Sequence, residues 1–450
     1  MSDARQTTAA PATDGMGGFL ARFAATASER AGEPEWLRSR REEAMARFGA
    51  AGFPSTKDEA WRATSVARLA RTAWTAASGA APASARAAVE TRRIEPAHRL
   101  VFVNGRFAPD LSDHRRLPEG LLAMSLADAL RRRAGEVQAS LEGFGDAGAQ
   151  RFGDLNAACA TDGAFVLLPP GRVIDEPIHL LFVASTDAAP LVSHPWSVLV
   201  AGAGTTGTLV EEYAGAGPGP VFTNARTTLA LAPGAVVEHI RVDGAPGTAT
   251  HIGLFQIRLA RDANLNAVSL TGSAGMGRHD VHAVLTGPGS DCCLDGLYVA
   301  GGTTHVDNHT RIVHACPHGT SHELYKGILD GHARGVFAGH VRVESKALKT
   351  NAWQANKNLL LSGDALADST PQLEIYADDV QCRHGSTVGQ LDETMMFYLR
   401  SRGLDPRTAR RVLVEAFAGE ILDKVRIPAL HARAGAALLA SLETGGGGRR

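Results

Sequence analysis

Residues 231–235, LAPGA, 259–263, LARDA, 285–289, LTGPG, and 315–319, ACPHG, each close a short β-rich run and open the next, at intervals of 28, 26 and 30 residues. A turn of one kind at a near-constant interval marks a coil of short strands stacked in rungs, where each rung buries apolar surface against its neighbours. The period favours a parallel β-helix over a β-sandwich, without excluding the sandwich.

Outward from these turns, short segments between Phe165 and Val343 are rich in β-branched and apolar residues, and nearly every gap holds Gly, Pro, Asp or Asn. No helical stretch of ~10 residues interrupts them, which excludes a repeated strand–helix–strand layout. Upstream, Trp36, Leu37, Ala44, Met45 and Phe48 recur at helical spacing on a charged background, predicting helix from about Glu35. Pro54 ends that run, and Thr56 with Glu59 offers a capping box to a second helix carrying Trp61. The Ala/Ser-rich stretch 76–92 is expected to be a loosely ordered connection, and LVFVNGRF at 100–107 a strand and turn. Helical spacing returns after Gly389. Asp392 suits an N-cap and Gly403 a left-handed C-cap, and Asp405-Pro406 starts a helix with Leu413, Phe417, Ile421 and Val425 on one face.

Lys and Arg number 46 against 47 Asp and Glu, a balance that argues against a general grip on nucleic acid. No apolar run approaches the ~18–20 residues that cross a bilayer, so no membrane partner is expected. The opening MSDARQTTAAPATDGMGG lacks the apolar core of a secretory signal and is expected to be a flexible lead-in. Five cysteines, at 159, 292, 293, 316 and 382, are odd in number and scattered, with no CxxC pair. They do not read as a disulfide framework or a common zinc site, and a reducing cytoplasm is the expected compartment. There is no phosphate-binding P-loop, and GAGTTG at 202–207 lies between strands, where a dinucleotide fingerprint needs a following helix.

Three groups of residues could carry chemistry. Cys382 and His384 lie two apart, so on a strand both face one side, and Gly385 is expected to open a tight turn after them. Thiolate and imidazole are ligands of iron and its clusters, although a buried thiol beside a polar rim histidine is the plainer reading. His305, His309, His314, His318 and His322, with Asp307, Cys316 and Glu323 among them, form a dense run that Pro317 and Gly319 break. Such density suits iron or zinc, or else exposed and rung-stacked histidines. Cys292 and Cys293 are adjacent and face opposite sides of a strand, so a structural role is expected. Cys159, in an apparent loop over 155–163, has no evident partner.

The string YADDVQCRHGSTVGQLDETMMFYLRSRG at 376–403 resembles the C-terminal signature of the SufB/SufD family of iron–sulfur cluster assembly scaffolds, and within it the SufD type. KTNAWQANKNLLLS at 349–362, PQLEIY at 371–376 and DEAWR at 58–62 extend the resemblance over most of the chain. It implies a right-handed parallel β-helix core flanked by N- and C-terminal helical domains. The expected division is 1–95 helical, 96–162 mixed, 163–385 β-helix, 386–444 helical and 445–450 a disordered tail.

The resemblance further implies a non-catalytic subunit that pairs with a SufB-like paralogue through the β-helix and recruits the ATPase SufC through its C-terminal helices. The SufC-docking region would include Asp392, Phe397, Tyr398, Arg400, Arg402, Leu413, Phe417 and Ile421. His384, with Cys382 as a weaker companion, would meet a nascent, transient iron–sulfur cluster at the SufB interface, making His384 a metal ligand shared with the partner. A flavin in the complex is also implied, though no residue here has a readable flavin motif. Two other readings stand beside this one. A SufB-like chain would have a cysteine near Asn356 and an acidic residue in place of Gly385. A stand-alone β-helix metal enzyme would draw on the run from His305 to His322.

Overall fold

A computed structural model describes residues 15–445, except 31, 77–81, 115, 146–149, 187–188, 245–248 and 273–274. Of the expected flexible lead-in over 1–18, residues 15–18 instead open the first helix and 1–14 lie outside the described residues; of the expected tail over 445–450, Gly445 ends the last helix and 446–450 lie outside them. The chain is mainly β, a parallel solenoid of about seven turns flanked by helices. Each turn contributes one strand to each of two sheets. Sheet one runs through strands 164–168, 196–201, 221–231, 250–259, 276–285, 305–314, 334–343 and 366–375. Sheet two runs through 178–185, 206–216, 236–244, 264–272, 291–300, 320–329, 351–360 and 381–389.

The repeated turn is the joint of each rung. Gly204, Gly234, Asp262, Gly289, His318 and Lys349 all adopt left-handed φ between 55° and 72°. Each donates its backbone N–H to the corner of the next rung: Gly234 to Arg261, Asp262 to Pro288, His318 to Leu348. Glycine or a short polar residue takes this conformation at least cost, which is why the turns read so clearly in the sequence.

The strands alternate in and out. Inward, Leu229, Leu231, Ile257, Leu259, Leu265, Leu285, Leu294, Phe337 and Val343 form a continuous buried core. The interior also holds polar groups, which pair with one another: His239 lies 2.9 Å from the Glu211 carboxylate, and His314 lies 2.8 Å from the Ser321 hydroxyl.

Helices α1 (Gly15–Ala25), α2 (Glu35–Ala51) and α3 (Ala67–Arg71) pack with α7 (Arg151–Cys159) on the outer face of sheet one. Between α3 and α7 lie α4 (Ala83–Glu90), α5 (Leu126–Arg132) and α6 (Ala134–Ser140). Beyond the solenoid come α8 (Glu393–Ser401), α9 (Pro406–Leu422) and α10 (Pro428–Gly445); α9 and α10 cover the outer face of sheet two.

Local expectations differ from the structure at four further places. The stretch 76–92 contains helix α4, whose Ala85 and Val89 are buried against the solenoid's first rungs. Cys159 ends α7 rather than sitting in a loop. The helix proposed around Trp61 is a single 3₁₀ turn over Glu59–Trp61, because Asp58 binds the Ser55 N–H at 2.7 Å and Arg151 at 2.6 Å, turning Trp61 onto the Arg278 guanidinium. Gly385 makes no turn. The strand runs straight through it to Gly389, held in register against Ala355.

Candidate functional site

Among the described residues, the last rung ends the solenoid without a cap: strands 366–375 and 381–389 each pair on one side only, so both present an open edge. In a parallel ladder, alternate residues direct their backbone groups to opposite neighbours. The Gln381 N–H bonds inward to the Thr350 carbonyl, so the backbone groups of Cys382, His384, Ser386 and Val388 point to the open edge of sheet two. In sheet one, the Leu366 and Tyr376 N–H groups bond inward, which turns Pro371 outward, where it supplies no donor. One edge is therefore interrupted at its centre and the other offers an unbroken row of donors and acceptors.

That second edge carries Cys382 and His384. Their columns continue the solenoid interior: Cys382 follows Ala352 and Ser321, and His384 follows Gln354 and Glu323. Gln354 and Glu323 are fully buried and joined by a 2.6 Å hydrogen bond. Burial pushes the Glu323 carboxyl up to about 7 despite the Gln354 hydrogen bond. Glu323 Oε1 and Gln354 Oε1 have no partner, so acceptors line the column behind the last rung. His384 itself is exposed, and Cys382 is half-buried against the core. Burial pushes the Cys382 thiol up, against a lowering contact from the Ala352 backbone. Leu366, Ile375, Tyr376 and Val388 surround this end with exposed apolar surface, Val388 at 51 %.

The histidine run does not assemble. His305 hydrogen-bonds the Thr64 hydroxyl at 2.8 Å and His309 stands 3.0 Å from the Asp307 carboxylate, on the outer face of sheet one. His314 faces inward, His318 occupies a left-handed corner, and His322 lies on the outer face of sheet two. Steps of four residues in this stretch cross a corner of the solenoid, so they do not keep to one face. The chemistry-bearing grouping that sequence reading missed is Cys293, Asp295 and His322. Its signal was the rung period, since 322 − 293 = 29 places His322 beside Cys293 in the next rung.

The C-terminal helices divide the expected docking residues. Asp392 caps α8, accepting from the Thr394 and Met395 N–H groups at 2.7 and 3.1 Å. Helix α8 buries nothing: Phe397 is 72 % exposed, Tyr398, Arg400 and Met395 are also exposed, and Arg402 stacks on Tyr398. Helix α9 differs. Ile421 is fully buried with Val414 and Ala418 against Leu297, Leu324 and Ile328 of sheet two, so it offers no docking surface. Phe417 packs at the margin of that cluster beneath the Lys326 ammonium, 4.0 Å away, and Leu413 is half-buried. The amphipathic stripe is consumed by the solenoid's own outer face. Ile421→Ala is accordingly expected to cost about 2–5 kcal/mol, by cavity formation, and to release α9 and α10 to protease before the solenoid unfolds; unchanged cleavage would count against this packing.

Residues 182–417 match the family description "SUF system FeS cluster assembly, SufBD core domain", and residues 24–180 match "SufBD protein N-terminal region". An iron–sulfur cluster assembly SufBD family protein of Synechocystis is 33 % identical over 411 residues, 89 % of this chain and 90 % of its own length. The iron–sulfur cluster assembly protein SufD of Escherichia coli is 30 % identical over 378 residues, 83 % of this chain and 86 % of its own. A chloroplastic protein of Arabidopsis thaliana is 31 % identical over 282 residues, 61 % of this chain and 59 % of its own. With an uncapped solenoid that matches the core description from its first turns into α9, the chain is a member of the SufBD family of iron–sulfur cluster assembly proteins.

Proposed function

We propose that this chain is the SufD-type subunit of an iron–sulfur cluster assembly scaffold, joined to a SufB-like paralogue at the open last rung and to the ATPase SufC at α8. The observation that carries this reading is the exposed position of His384 on an unpaired strand edge. An edge of this kind is a template for strand addition by a second chain. A paralogue that ends in a similar rung would continue sheet two across the seam, burying the apolar rim of Val388, Leu366 and Ile375. His384 and Cys382 would then meet the partner's ligands over the buried column of Gln354 and Glu323, in a site that neither chain completes alone. The nascent cluster is cargo in this scheme, held while it is built and then passed on.

SufC docking is assigned to the exposed aromatic and basic residues of α8: Met395, Phe397, Tyr398, Arg400 and Arg402. Aromatic and arginine side chains dominate the energetics of protein interfaces. The same reading places the complex in the cytoplasm, where all five cysteines would stay reduced.

The test is co-expression of this chain with SufB- and SufC-like chains. His384→Ala should leave the complex assembled and lower the cluster recovered per complex severalfold, read by visible absorbance and by iron and sulfide content. Undiminished cluster yield from the variant complex would remove His384 from the site.

A further inference from the structure

We propose that Cys293, Asp295 and His322 form a binding site for a borderline divalent transition-metal ion, of the zinc or ferrous class, on the outer face of sheet two. This site stands apart from the proposed cluster position, on earlier rungs and on the opposite face of the sheet from the His384 column.

The solenoid register creates the site. Cys293 and Asp295 lie two apart on strand 291–300, opposite in facing to the core residues Cys292 and Leu294. His322 is the register partner of Cys293 in the next rung. Cys293 Sγ lies 3.1 Å from Asp295 Oδ2 and 3.9 Å from His322 Nδ1, and all three ligand atoms lie within 4.8 Å of one another. Around a tetrahedral ion with M–S about 2.3 Å and M–N and M–O about 2.1 Å, such donors stand roughly 3.4–3.7 Å apart. Side-chain rotations that move these atoms by up to roughly an ångström would close the set. Trp353 packs on the His322 ring, centroids 4.1 Å apart and planes tilted by 33°.

A second, independent observation points to a ligand. Asp295 is 3 % exposed, yet its Oδ1 is buried without any hydrogen-bond partner. An orphaned buried carboxylate oxygen is costly and calls for a cation or donor. The cation beside it is Lys424, just past α9, whose Nζ donates to Asp295 Oδ2 at 2.7 Å. The Lys424 side chain is 36 % exposed, so its flexible stem can swing to solvent when an ion enters. Binding would break that N–H···O contact and form the S–, N– and O–metal bonds, with the thiol proton passing to bulk water. Three protein ligands leave a fourth position to water.

The donor chemistry selects the ion class. A thiolate excludes the oxygen-seeking calcium and magnesium, while a mixed sulfur, nitrogen and oxygen set suits zinc or ferrous iron. The same residues do not make a nucleophilic triad. The thiol donates to the carboxylate directly, and the imidazole stands 3.9 Å off, where a nucleophile needs its base within hydrogen-bond reach.

The purified full-length chain, stripped of metal, is titrated with cobalt(II) as the probe and then competed with zinc(II). The expected result is one equivalent bound, with a thiolate-to-cobalt charge-transfer band and intense tetrahedral visible bands, all displaced by zinc. Cys293→Ser should lose the charge-transfer band, and Asp295→Asn and His322→Ala should weaken binding by roughly tenfold or more. Lys424→Gln, which removes the competing ammonium, should tighten binding by roughly fivefold. Cys382→Ser and His384→Ala should leave the spectrum unchanged, which separates this site from the last rung. Absence of the band in the unaltered chain, or its persistence in Cys293→Ser, overturns the proposal, as does unchanged affinity in Asp295→Asn.

Discussion

Ser386→Pro is expected to abolish pairing with a SufB-like partner while leaving this chain folded. The Ser386 backbone points to the open edge of strand 381–389, because its neighbours in the alternation, from Gln381 onward, bond inward. Proline there removes a donor that the isolated chain does not use and sets a ring where the partner strand would lie. The chain already tolerates this arrangement. Pro371 sits with its nitrogen outward on strand 366–375, and that strand still pairs along its length with 334–343. At the interface, one missing hydrogen bond with a buried acceptor left unpaired costs about 1–3 kcal/mol. The steric clash adds to it, so affinity should fall by roughly 100-fold or more. Arg383→Pro is the control with the opposite signature. Its N–H points inward, so proline there should loosen the last rung in the isolated chain. Undiminished co-purification of Ser386→Pro with the partner would show that the chains do not meet along this edge.

The coil was legible because its corners are conformationally demanding. Left-handed residues at Gly234, Asp262 and Gly289 impose short glycine- or aspartate-bearing turns that stand out against β-branched strands. Strand starts were less legible. Strands 276–285 and 305–314 open on polar stretches, where Arg278, Asp280 and Asp307 are charged yet buried beneath the N-terminal segment. Polarity reads as exposure in a sequence, and only contact with the N-terminal segment buries these residues on the outer face of sheet one. Helix α9 shows the converse. Periodicity identified its apolar face at Phe417 and Ile421, but it does not say whether a partner or the chain's own sheet covers that face. The Cys293–Asp295–His322 grouping was hidden for a third reason: its members share a site only through a register of 29 residues, which is meaningful once the rungs are aligned.

Arg278→Met is expected to be the most destabilising single change, at about 3–5 kcal/mol, because it strips a buried cation from two carboxylates. Arg278 is 3 % exposed and donates to Asp280 at 2.8 and 3.0 Å, to Asp307 at 2.8 Å and to the Ala60 carbonyl at 2.7 Å. The Trp61 ring covers it at 3.8 Å, so the DEAWR element reads as a lid over this ion network. Methionine restores the volume but not the charge, and Asp307 keeps only Thr64 and His309. The acid response separates this cause from simple misfit. Burial pushes the Asp307 carboxyl up, but Arg278 and His309 together hold it well below its ordinary 3.8. A folded-state pKa below the unfolded one gives stability that is present above about pH 4 and lost as pH falls through the folded value. The variant lacks the main part of that contribution, and its carboxylates take up protons at higher pH. The stability gap between the two proteins in denaturant should therefore be widest near neutrality and narrow steadily on acidification. Asp307→Asn in the Arg278→Met background should recover part of the loss at neutral pH, because it removes the unpaired charge. A gap independent of pH, with no recovery in the double variant, would mean that packing beneath Trp61, rather than charge, holds the N-terminal segment to sheet one.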